Sequence, residues 1–325
     1  MFKGLFLLSG YLLLLINAVG QTTGVIEVYS DKDSSYSYFV QNEQLFFESW
    51  DTLAQPIFWR RIMSMSPDSG LVNVASTREV LFQTSYWDYK KKTTKERLKF
   101  KDSVRKEYCL EYGTKLYLTS GKKEFYNIEK VMPSISKGVE VFSELNVDPW
   151  YAQAILLIES PGKLAYSNTG AYGPFQLMKS VARSHGLKVN KYVDERKDFD
   201  KSAKGAASLI SNTCIPEAVR ILSKNDIEYC EDDLWFKLFV LHIYHAGAGN
   251  VSGLLGSIDA SKGGMELIQT MWQSQWGGFK NASQNYSQVA LASMIILNDI
   301  IEENSKYIYE CYMACLLYTS DAADE

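Results

Sequence analysis

The sequence predicts a mainly α fold. Three stretches carry that expectation. Ile135, Val139, Phe142 and Leu145 recur at three- and four-residue steps, which marks one buried helical face. Trp150 to Glu159 is apolar on nearly every side, as a helix at the centre of a domain would be. Ser287 to Ile301 contains Val-Ala-Leu-Ala-Ser-Met-Ile-Ile-Leu, a further core helix.

Taken in order, the chain opens with Lys3 and an apolar stretch from Leu5 to Ile16, then Ala18-Val-Gly20 ahead of Gln21. Small residues three and one positions before Gln21 read as a secretory signal peptide over residues 1–20, cut near Gly20. The other reading is an uncleaved N-terminal anchor. No cysteine lies near the cut, so no lipid anchor is expected. The expected location is therefore periplasmic or extracellular.

Residues 21–130 read as a helix-rich accessory region. Spacing at Ile57 and Ile62, and at Val80-Leu-Phe82, permits helices. Tyr112, Thr114, Leu116 and Leu118 alternate with Glu111, Gly113 and Lys115, a pattern that suits a short strand. The region's many aromatic residues are expected in the core, with a sugar-stacking platform as the lesser alternative. Its lysine-rich run from Lys90 to Lys106 is expected to be a solvated helix face. No chemistry is legible here.

Residues 131–314 are expected to form a second, mainly helical domain. Asp148 is a good N-cap and Pro149 a good first helical residue, which restarts the chain before the apolar helix ending at Glu159. Ser160-Pro161-Gly162 stops that helix. Further helices are expected over Asp200 to Ile210, with Ala203, Ala206, Ala207 and Ile210 on one face, and over the apolar stretch from Asp233 to Tyr244. Cys315 to Glu325 reads as an adapter-derived scar, a segment to be set aside in reasoning about the fold.

Glu159 is the residue on which the functional reading turns. Apolar surroundings disfavour its charged form, and the negative end of the helix macrodipole does the same. A carboxylic acid still protonated near neutral pH is what cleavage of a glycosidic bond requires, because the leaving oxygen must receive a proton. Ordinary glycosidases use two carboxylates. Between Ser160 and Val193 the chain has neither Asp nor Glu; a second carboxylate would have to come from elsewhere, for instance Asp232 or Asp233.

Three segments then follow one another in a telling order: Glu159-Ser160, Gly170-Ala-Tyr-Gly173-Pro-Phe-Gln176-Leu-Met178, and Tyr244-His245-Ala-Gly-Ala-Gly-Asn-Val251. Together they resemble the goose-lysozyme-like catalytic domain of the soluble lytic transglycosylases, over roughly residues 145–300. That family cleaves the glycan strands of bacterial peptidoglycan. The resemblance implies a lysozyme-like helical catalytic domain with Glu159 as the single general acid/base. It implies substrate binding by Ser160, Ser167, Gly173, Gln176, Met178, Tyr244, His245 and Tyr286. Ser167 would hold the N-acetyl group or orient Glu159, Met178 would line the cleft floor, and Tyr244 would bring its hydroxyl near the acid. Three departures stand out: the Glu159 to Ser167 spacing is one residue shorter than usual, His245 replaces the commoner Asn, and Ala282 stands where a Glu precedes Tyr286. Asp194-Glu-Arg196, Asp198 and Lys201 resemble a structural stretch that caps and pairs ions. The expected partner is peptidoglycan, with contacts to other cell-wall machinery falling to residues 21–130. The alternatives are a goose-type lysozyme hydrolase on the same fold and a catalytically silent peptidoglycan-binding module.

Charge adds little pull toward other partners. The full chain carries −4, and without residues 1–20 and 315–325 it holds 33 basic against 35 acidic residues. So nearly neutral a surface offers no long-range attraction to nucleic acid or anionic lipid. Cys214 and Cys230 would close a short loop worth roughly 3 kcal/mol if bridged; the alternative is buried thiols. His242 and His245 sit three apart without a third clustered ligand, so neither a metal nor a cofactor is expected.

Overall fold

The computed structural model describes residues 24–30, 35–41, 43–160 and 170–321, with side chains as far as Glu303. The expected signal peptide lies outside the described residues. In chain order the elements are β1 (Val25–Ser30), β2 (Ser35–Val40), α1 (Gln44–Phe47), α2 (Ala54–Ser64), β3 (Ser69–Val74), β4 (Val80–Ser85), α3 (Tyr86–Lys91), α4 (Thr94–Glu107) and β5 (Leu116–Ser120). Then come α5 (Ile128–Glu144), α6 (Trp150–Glu159), α7 (Lys179–Ser184), α8 (Phe199–Leu209), α9 (Ile215–Lys224), α10 (Leu234–Ala246), α11 (Ala248–Leu255), α12 (Met265–Gln273) and α13 (Asn281–Asp321). The fold is mainly helical.

The core is built around α6. Every residue from Trp150 to Leu157 is buried, as its all-round apolarity predicts. Asp148 starts the helix by accepting from the Trp150 amide at 2.9 Å. Helices α5, α8, α10 and α13 pack around it. Gly138 lets α5 approach closely, since a Cβ there would press on Leu156 and Ala152. Helix α5 begins at Ile128, with Asn127 accepting from the Lys130 amide at 3.2 Å. Pro133 therefore lies inside the helix, not at its start. The apolar face at Ile128 and Val131 extends the helix upstream of the spacing that begins at Ile135.

Both sheets among the described residues lie ahead of α5. The pair β1–β2 is antiparallel, and β3 is the centre of the antiparallel order β4-β3-β5. Val80-Leu-Phe82, whose spacing permits a helix, is strand: β4 pairs with β3, and Val72 and Phe82 are partners. Leu116 and Leu118 lie in β5 as their alternation predicts, whereas Tyr112 and Thr114 precede the strand. Ile57 and Ile62 lie on α2. The lysine-rich run forms α3 and α4, exposed apart from a few positions, with a capping box between Thr93 and Glu96. The region is thus mixed α and β.

These early elements pack directly on the helices. Gln153 of α6 pairs with the free edge of β2, accepting from the Val40 amide at 2.9 Å and donating to the Val40 carbonyl at 2.8 Å. Trp50 is fully buried, edge-on to Trp272 at 6.5 Å. A second cluster joins Phe58, Trp59, Ile62 and Met63 of α2 to Leu71 of β3 and to Val289 and Ala292 of α13. Of the large aromatics there, Phe39, Trp50, Phe58 and Trp59 are core as expected, but Tyr36, Phe46, Phe47, Trp87, Tyr108, Tyr112 and Phe125 are exposed and the other described ones are half-buried. Cys109, Cys214 and Cys230 are unbridged thiols; Cys214 is buried and its thiol is pushed up to about 12, while Cys230 is exposed.

Candidate active site

Glu159 is the last residue of α6. It keeps a partial opening to solvent, yet burial pushes its carboxyl up to about 7 from an ordinary 4.5, against the lowering effect of a hydrogen bond from Tyr286. That bond runs from the Tyr286 hydroxyl to Glu159 Oε1 at 2.9 Å. Tyr286 comes from the first turns of α13 and is itself buried. Burial, and then the nearby Glu159 charge, hold its phenol well above the ordinary value. The His245 ring stacks on Tyr286 at 4.4 Å with 17° between planes. Burial lowers the His245 pKa, so the stacked imidazole is neutral at neutral pH.

Tyr244, on the last turn of α10, donates to the Phe175 carbonyl at 2.6 Å. Glu159 is among the charges that raise its pKa, after burial. Ser160 donates to the Pro174 carbonyl at 2.8 Å. The ends of α6 and α10 therefore both grip the segment from Gly170 to Leu177. Within that segment Gly173 has φ 86°, and an added Cβ would run into the Arg196 carbonyl oxygen. Gln176 also sits at positive φ and donates back to the Gly173 carbonyl at 2.9 Å. Met178 precedes α7 and is 41% exposed. Ser167 lies outside the described residues.

Arg196 holds this segment from behind. Its guanidinium is buried, forks onto Asp194 at 2.9 and 2.7 Å, and donates to the carbonyls of Gly170 and Leu177, each at 2.9 Å. Asp198 caps α8 by accepting from the Lys201 amide at 3.0 Å, and Lys201 pairs with Glu195 at 2.8 Å. The stretch from Asp194 to Lys201 is a structural brace.

Asp232 and Asp233 stand at the other end of the helices. Asp233 precedes α10 and accepts from Trp235 Nε1 at 3.0 Å. Asp232 is among the charges that raise the pKa of Tyr151, in the first turn of α6. Tyr151 and Glu159 are separated by roughly 12 Å of helix, so neither aspartate is brought to Glu159.

One neighbour of Glu159 was not legible in the sequence. Tyr126, just ahead of α5, packs in the second cluster with Ile158, and the Glu159 charge adds to the burial that holds its phenol far up. Its aromatic type gave no signal, because nothing local distinguishes it from the many other tyrosines of its region. Among the described residues no group of three or more His, Cys, Asp or Glu converges as metal ligands, and no helix is long and apolar enough to cross a membrane.

Residues 139–257 match the family model of the transglycosylase SLT domain. No curated protein matches the chain. The matched segment runs from within α5 to the end of α11, so it holds Glu159, the Gly170–Leu177 segment, Arg196, Tyr244 and His245, while Tyr126 and Tyr286 are contributed from outside it. Over that stretch the chain is similar to the transglycosylase SLT domain, a lysozyme-like helical unit of lytic transglycosylases that act on peptidoglycan.

Proposed function

We propose that this protein cleaves the β-1,4 bond between N-acetylmuramic acid and N-acetylglucosamine, with Glu159 as the sole general acid/base and a 1,6-anhydro-muramyl end as product. The observation that carries the proposal is the pairing of a carboxyl poised at about 7 with a buried tyrosine hydroxyl. A group so poised is available in both protonation states near neutral pH, as a residue that gives and then takes a proton must be.

In the first step the protonated Glu159 gives its proton to the bridging oxygen as the bond to the anomeric carbon breaks. The substrate's own 2-acetamido oxygen attacks that carbon and forms an oxazolinium, so the protein need supply no carboxylate nucleophile. In the second step the ionised Glu159 takes the proton of the 6-hydroxyl, whose oxygen attacks the anomeric carbon and reopens the oxazolinium. Glu159 is protonated again and water is not consumed. The Tyr286 bond favours the ionised form and burial the protonated one, which lets the group alternate.

Ser160, Gly173, Gln176, Met178, Tyr244 and His245 are proposed to shape the sugar-binding surface beside Glu159, with Ser167 completing it. The layout of residues 1–20 supports export to the compartment where peptidoglycan lies. Glu159→Gln is the direct test: release of muropeptides from purified sacculi should fall by roughly 10²–10⁴-fold. Cleavage by the variant at the wild-type rate would refute the assignment.

A further inference from the structure

The turn between β3 and β4 aims a cation at the start of α13. Arg78 occupies that turn with φ 61°, a left-handed conformation that disfavours long side chains. Its amide donates to the Val74 carbonyl at 2.9 Å, which fixes the turn. The guanidinium is 5% exposed. From Nη2 it donates to Asn285 Oδ1 at 2.7 Å and to Asn281 Oδ1 at 3.1 Å, and from Nη1 to Asn73 Oδ1 at 3.4 Å. The rings of Phe58 and Tyr117 lie 5.4 Å from it and that of Trp59 6.0 Å. No carboxylate pairs with it among the described residues. A buried guanidinium satisfied by neutral amides and aromatic faces fixes geometry more than it adds ion-pair energy.

What it fixes lies next to Glu159. Asn281 and Asn285 are one turn apart at the N-terminal end of α13, and Asn285 is followed by Tyr286. Trp59 grips the same helix farther on, donating from Nε1 to Gln288 Oε1 at 3.1 Å. Arg78 comes from the β3–β4 turn and Trp59 from α2, and all of these contacts fall outside residues 139–257.

We infer that Arg78 is a positioning residue: it sets the rotation and register of the start of α13 and so holds the Tyr286 hydroxyl on the Glu159 carboxylate. This inference rests on the role proposed for Glu159. The region ahead of α5 is then part of the machinery, because the catalytic carboxyl is tuned from there across two contacts.

The titration of the Glu159 carboxyl carbon, followed by NMR in the full chain, tests this without an activity assay. The titratable groups that face Glu159 are Tyr126, Tyr244 and Tyr286; Tyr286 directly follows Asn285, which Arg78 holds, while Tyr126 packs in the cluster of Phe58 and Trp59, whose rings flank Arg78. Tyr286→Phe sets the reference: losing its bond raises the Glu159 pKa. Arg78→Met should raise it in the same direction and by most of the same amount, and Arg78→Met with Tyr286→Phe should add little beyond Tyr286→Phe alone. Asn285→Ala, which removes the shortest of the Arg78 bonds and leaves its aromatic contacts, gives the same reading should Arg78→Met fail to fold. An unchanged Glu159 pKa in the folded variants, or a downward shift, would overturn the inference. A parallel digestion of sacculi separates the two questions: a wild type that cleaves nothing refutes the proposed function but leaves the titration to decide the role of Arg78.

Discussion

At the residue scale, a carboxyl sits where its charge is disfavoured. The folded Glu159 carboxyl titrates near 7 and the ordinary side chain near 4.5. As pH rises between those values, the unfolded chain has already lost the proton that the folded chain still holds. Stability therefore falls through that window, and the full penalty stands above it. Glu159→Gln removes the penalty. Its melting temperature should exceed that of the wild type at about pH 8 and match it at about pH 4; equal melting temperatures at both would show that the carboxyl is not desolvated. Activity should respond to the same group. The alkaline limb of kcat/KM should fall with an apparent pKa of about 7. Tyr286→Phe should move that limb to higher pH, since the lost bond favours the ionised form, and a shift to lower pH would contradict the assigned contact.

At the element scale, two helix ends and one braced segment make the site. The C-terminal ends of α6 and α10 deliver Glu159 and Tyr244, and both grip carbonyls of the Gly170–Leu177 segment through Ser160 and Tyr244. Arg196 stops that segment from relaxing outward. Arg196→Met would leave Asp194 without its counter-charge and would take one donor from each of the Gly170 and Leu177 carbonyls. By urea unfolding it should destabilise the fold by about 3 kcal/mol. A loss below about 0.5 kcal/mol would mean that solvent satisfies the segment equally well. Much of this was legible in the sequence. The apolar run ending at Glu159 marks a central helix, and the glycine-rich spacing marks a turn. The bracing role of the stretch around Arg196 was implied by the resemblance. The strand at Val80–Ser85 was not legible, because three adjacent apolar residues fit a helical face as well as a strand until a partner is known.

At the scale of the whole molecule, the chain ahead of α5 shares its core with the helices that carry the site. Phe58, Trp59 and Leu71 pack with Val289 and Ala292, more than two hundred residues later in sequence for the residues of α2. Pairings across such a separation leave no periodic trace, which is why Tyr126 and Arg78 could not be placed near Glu159 from the sequence. The shared core predicts a single cooperative unfolding transition, with coincident tryptophan fluorescence and far-ultraviolet circular dichroism. Phe58→Ala should lower the stability of the whole by about 3–5 kcal/mol. Two separated transitions, with only the first moved by Phe58→Ala, would show that the early elements fold apart from the rest.

The central claim is that one carboxyl, tuned by burial and by a tyrosine, works without water. Mass spectrometry of the muropeptides released from purified sacculi tests it most directly. Muramyl ends lighter by one water than reducing ends should be present with the wild-type protein and lost with Glu159→Gln. Reducing ends instead, or anhydro ends that persist in Glu159→Gln, would contradict it.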